Sequence, residues 1–114
     1  MKPQHVAWII SQVAVGITML GMAWTTVTGA AWWFVLNLTA GVLATAAGIL
    51  WSRHRLCFQL STTAAALYAP VNLFIGLANL AGSDFYGPIH GTLIGLSLLQ
   101  VLIAFGAYKH RNGF

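Results

Sequence analysis

The side chains able to move a proton gather in one short stretch. Asp84 is the chain's single carboxylate, and His90 follows in the run Asp-Phe-Tyr-Gly-Pro-Ile-His-Gly. A carboxylate beside an imidazole is an acid/base pair in principle, the carboxylate orienting the ring and the ring taking the proton. No further catalytic signature accompanies the two. Asp84 therefore reads as a loop or cap residue, and His90 as an interfacial histidine bonded to the 82–87 loop or to Asp84. Metal chemistry is no better supplied. His5, His54 and His110 fall at the opposite ends of the apolar segments, so a two-histidine haem within one copy is excluded by depth. Cys57 is the lone cysteine, which removes internal disulfides and multi-cysteine metal sites. The expectation is no catalytic residue, no metal and no cofactor.

Amides and hydroxyls inside the apolar segments are the next candidates. Tyr68, Asn72 and Asn79 recur at steps of four and seven, and His90, Ser97 and Gln100 at seven and three, which places each trio on one helix face. Folding these two helices back about Asp84–Phe85 brings Asn79 level with His90, Asn72 with Ser97 and Tyr68 with Gln100. This predicts a polar seam between the third and fourth helices, with Asn37 of the second helix as a further ligand-lining residue. As helix glue, each such hydrogen bond is worth about 0.6 kcal/mol. As a site, the seam would admit a small lipophilic molecule near Trp32, Trp33, Asn79 and His90.

Small residues form a second pattern. Asn37, Gly41, Ala44 and Gly48 lie on one face of the second helix, and Gly87, Gly91 and Gly95 form a glycine ladder on the fourth. In lipid, small residues let helix backbones approach closely, so Gly41, Gly48, Gly87, Gly91 and Gly95 are the expected packing positions. Leu96, Leu99 and Ile103 are expected to form a separate sector facing lipid.

The elements that must position these residues follow from composition. Of 114 residues, 59% are hydrophobic and only 5% charged. A soluble domain needs about a quarter of its residues charged, so this chain cannot clothe itself for water. Four apolar segments, about 6–27, 31–51, 56–81 and 88–108, each match the roughly 20 residues needed to cross a bilayer core as a helix. Their short connections predict a single domain over 1–114, an all-α four-helix up-down transmembrane bundle. Lys2, Arg53, Arg55, Lys109 and Arg111 fall at one side and Asp84 at the other, which places both termini in the cytoplasm. Trp8, Trp51 and Tyr108 would form an inner aromatic belt, and Trp24, Trp32, Trp33 and Tyr86 an outer one. Five scattered cations make no nucleic-acid patch. Pro70, in the third segment, is expected to kink its helix.

In length and helix count the chain resembles the small multidrug-resistance transporters. That family depends on a carboxylate in its first helix, where this chain has only Gln12 and Thr18. The expected role is a non-enzymatic component of a bacterial cytoplasmic membrane, acting through helix packing as a homo-oligomer or as a subunit of a larger complex. A binder or transporter of a lipophilic small molecule is the alternative, and a membrane enzyme using His90 and Asp84 the third.

Overall fold

The computed structural model describes residues 3–24, 31–82 and 87–110, with side chains described for 5–24, 31–78 and 91–109. The described residues form four helices: α1 (Pro3–Ala23), α2 (Ala31–Ile49), α3 (His54–Gly82) and α4 (Gly87–His110). All four are long and apolar enough to cross a membrane. The Cα trace measures 44 Å along its longest axis, against about 40–45 Å for a bilayer with its headgroups.

The helix limits have local causes. α1 begins at Pro3, whose missing N–H costs nothing in a first turn. After α2, the Leu50 amide still reaches the Ala46 carbonyl at 2.9 Å, and the Arg53 amide turns back onto Leu50 O at 2.9 Å. The Cys57 amide then donates to Arg53 O at 2.8 Å, so α3 opens at His54, ahead of the apolar run that starts at Leu56. α3 continues through Pro70 for 29 residues, about 43 Å at 1.5 Å per residue.

Packing runs round a ring: α1 on α2, α2 on α3, α3 on α4, and α4 back on α1. The buried face of α2 is built from Asn37, Ala40, Gly41, Ala44, Ala47 and Gly48. Gly41 receives Leu20, Gly48 receives Val13, and Gly16 of α1 lies against Thr45, so numbers rise along one helix as they fall along the other. A Cβ on Gly48 would stand 2.5 Å from Val13 Cγ2 and one on Gly41 2.8 Å from Leu20 Cδ2, so any side chain there would have to push its neighbour aside. The ring closes where Trp8 presses on Gly106 of α4. Trp8 also stacks on Trp51, centroids 6.2 Å apart and planes 10° from parallel.

Two sequence expectations change here. Leu96 and Ile103 are buried, and only Leu99 of that trio faces outward, because α4 turns Leu93, Leu96, Ser97, Gln100, Ile103 and Ala107 inward at helical spacing. Trp51, expected in the inner belt, is 2% exposed and part of the core, held by its stack on Trp8. Tyr108 stays outward, edge-on to Phe58 at 5.9 Å, and Lys109 Nζ sits 5.0 Å over the Phe105 ring.

Candidate functional site: two buried polar layers

Six polar side chains are buried among the described residues: Gln12, Asn37, Ser61, Asn72, Ser97 and Gln100. Five of them assemble into two layers. Gln12 sits on the inward face of α1 with Val15 and Met19, in step with the helical repeat. Its Nε2 donates to Gln100 Oε1 at 2.8 Å, and its Oε1 accepts the Ser61 hydroxyl at 2.7 Å. Gln100 Nε2 in turn donates to the Ser61 carbonyl and to Ser61 Oγ, each at 3.0 Å. Three helices, α1, α3 and α4, are thus tied by one closed set of side-chain hydrogen bonds. No charge is involved, so the layer avoids the desolvation cost of an ion in an apolar interior.

The second layer joins α2 to α3, about two to three turns further along α3. Asn72 Oδ1 accepts from the Trp33 indole at 3.0 Å, while Asn72 Nδ2 donates to Asn37 Oδ1 and to the Tyr68 carbonyl, both at 2.9 Å. The indole N–H is a donor only, so it fixes which end of the Asn72 amide is oxygen. Asn72 then fixes the Asn37 amide the same way. The donor chain runs from Trp33 through Asn72 to Asn37 and stops: Asn37 Nδ2 is buried with no acceptor, and the buried Tyr68 hydroxyl likewise has no partner. Such a group left unpaired costs about 1–3 kcal/mol. The layer of Gln12, Ser61 and Gln100 is closed; the layer of Trp33, Asn72 and Asn37 is open-ended.

Two apolar hollows lie between α2 and α3. One of about 400 Å³ is lined by Ala31, Trp32, Val35, Leu36, Thr39 and Leu67. Another of about 520 Å³ is lined by Trp32, Pro70, Val71, Phe74 and Ile75. Trp32 and Phe74, 59% and 74% exposed, stand at their rims.

The expected seam between α3 and α4 is not what these residues build. Gln100 meets Ser61 rather than Tyr68, a difference of seven residues, or about 10 Å along the helix. Asn72 turns to Trp33 and Asn37 of α2, and the Ser97 hydroxyl donates to Leu93 O of its own helix at 2.7 Å. Folding the hairpin evenly about its turn assumed a register that side-chain packing overrides. Asn79 and His90 lie within α3 and α4, with their side chains outside the described residues, and Asp84 and Tyr86 are outside them altogether. Of the expected packing glycines, Gly41 and Gly48 make close contacts, whereas a Cβ added at Gly91 or Gly95 would meet no atom within 4 Å. The surroundings of Gly87 lie outside the described residues. Sequence reasoning missed Trp33, Ser61, Gly16 and Gly106 in their structural roles and passed over Gln12. The available signal was Gln12 itself, an uncharged amide amid an apolar helix.

The chain matches no protein-family model, no curated protein and no solved structure.

Proposed function

We propose that this chain is a small integral membrane protein that works through helix packing, assembling with a second copy or within a larger complex through the outward face of α4. The observation that carries this reading is an unused seam. Gly91, Gly95, Leu98, Leu102 and Phe105 follow one another at steps of four, three, four and three. Gly95 is half-buried and the other four are exposed. That is the spacing with which two helices interdigitate, and the two glycines at one end would allow close backbone approach. Gly16, Gly41, Gly48 and Gly106 are each met by a neighbouring helix, whereas Gly91 and Gly95, like Gly21 of α1, face open space.

The accompanying topology is an up-down bundle with both termini cytoplasmic, in a bacterial inner membrane. It is supported by the register of α1 on α2 and by the cations Arg53, Arg55 and Lys109 at the chain ends of the helices. The direct test replaces Gly95 with isoleucine and sizes the protein in mild detergent. A shift from assembly to monomer is expected; an unchanged assembly state removes α4 as the interface.

A further inference from the structure

We infer that an anionic phospholipid binds along the outward side of the α3–α4 contact, its phosphate held by Arg55 and Lys109 where α3 begins and α4 finishes. The site is built within one chain. It borders the α4 seam without needing a second copy.

The register of α3 on α4 brings the two cations level. Gln100 bonds to Ser61 and Tyr108 packs edge-on to Phe58, so residue numbers fall along α3 as they rise along α4. Arg55 is six residues before Ser61 and three before Phe58, while Lys109 is nine after Gln100 and one after Tyr108. At 1.5 Å per residue, either pair places the two within about 3–5 Å in height. They also share a side. Arg55 and Phe58 are three apart and so neighbours on the surface of α3. On α4, Lys109 Nζ lies over the Phe105 ring, which stacks on Tyr108 at 6.4 Å. An aromatic row of Phe105, Tyr108 and Phe58 thus crosses from α4 to α3, with Lys109 at one end and Arg55 one turn from the other.

Both cationic side chains are exposed, and no carboxylate side chain of this protein is near. The single one, Asp84, follows the far end of α3, which is 29 residues long. The pose of Lys109 points the same way. Its ammonium does not reach out beyond α4 but turns back one turn, 5.0 Å over Phe105. A cation held back toward hydrocarbon is stabilised by an anion at the same level. From there toward the middle of the bundle, the same side is uncharged. Arg55, Thr62 and Ala66 recur at steps of seven and four on α3, all exposed, and Val101 is exposed seven residues before Tyr108 on α4. Two cations heading an uncharged length match a phospholipid with one negative phosphate and acyl chains. An acidic protein segment would answer the charges and leave the length beyond them unused.

The test titrates phosphatidylglycerol onto the full chain in nonionic detergent and counts bound lipid by native mass spectrometry. One phosphatidylglycerol per chain is expected to be retained where phosphatidylcholine, neutral overall, is not. Arg55→Gln and Lys109→Gln should each weaken retention about fivefold, the effect of one cation at a charged lipid, with buried Cys57 still protected from alkylation. Arg53→Gln removes the same charge at the same end and should barely change retention. Equal loss with Arg53→Gln, or no loss with Arg55→Gln and Lys109→Gln, overturns the site. Displacement by excess glycerophosphoglycerol or inorganic phosphate would reveal a free-anion site and overturns the lipid reading. Gly95→Ile, the variant that tests the α4 seam, should keep its lipid. Loss of lipid together with assembly would place the lipid between copies and overturn a site within one chain.

Discussion

Gln100 shows how one side chain can set a register. Its amide serves α1 and α3 at once, donating to Ser61 and accepting from Gln12. Removing it leaves Gln12 Nε2 without that acceptor inside a sealed layer. Interhelical hydrogen bonds in membranes average about 0.6 kcal/mol, and orphaned buried groups add to that. Gln100→Leu is therefore expected to cost about 1–2 kcal/mol in detergent-mixture unfolding. Thr63→Val is the contrast: that hydroxyl is exposed and bonds only to Gln59 O of its own helix at 2.7 Å, so about 0.5 kcal/mol or less is expected for a surface change. The double variant Gln12→Leu with Gln100→Leu should cost less than the sum of its singles, because each single leaves the other's groups unpaired. Strict additivity would mean the two glutamines do not act as a unit.

At the level of the helices, glycine has two opposite uses. Gly16 lies so close to α2 that an added Cβ would come 2.5 Å from the Thr45 backbone nitrogen. Backbone cannot step aside as a flexible side chain can, so α1 and α2 would have to separate. Gly16→Ala is expected to destabilise by about 1–3 kcal/mol, the usual range for overpacking. Gly95→Ala meets open space and replaces glycine by a better helix former, which favours the isolated fold by about 0.5–1 kcal/mol. Thermal unfolding of both variants in one detergent checks the ordering. Destabilisation by Gly95→Ala at concentrations where the protein is assembled, but not where it is monomeric, would locate the contact between copies.

For the whole molecule, orientation is the property to measure. Ser52 is exposed in the turn between α2 and α3, and Trp24 is exposed beyond the far end of α1. In a Cys57→Ala background, a membrane-impermeant maleimide should label Ser52→Cys only in inverted vesicles and Trp24→Cys only in intact cells. Labelling of Ser52→Cys from outside would reverse the cytoplasmic assignment of the termini. The wild-type thiol provides a fold reporter in a parallel experiment, since Cys57 is fully buried and should react only on unfolding.

Some of this was legible in the chain alone. The four apolar helices, and the small face of α2 from Asn37 through Gly41 and Ala44 to Gly48, follow from local hydrophobicity and helical spacing, which neighbouring residues settle among themselves. The partners of the polar side chains did not follow. Gln12 and Gln100 are 88 residues apart, and no local rule says which turn of one helix meets which turn of another. Tyr68 and Gln100 were expected together, but Gln100 bonds to Ser61 while the Tyr68 carbonyl accepts from Asn72. Helices are made by near neighbours, but the depth at which two amides meet is decided only when whole faces close on one another.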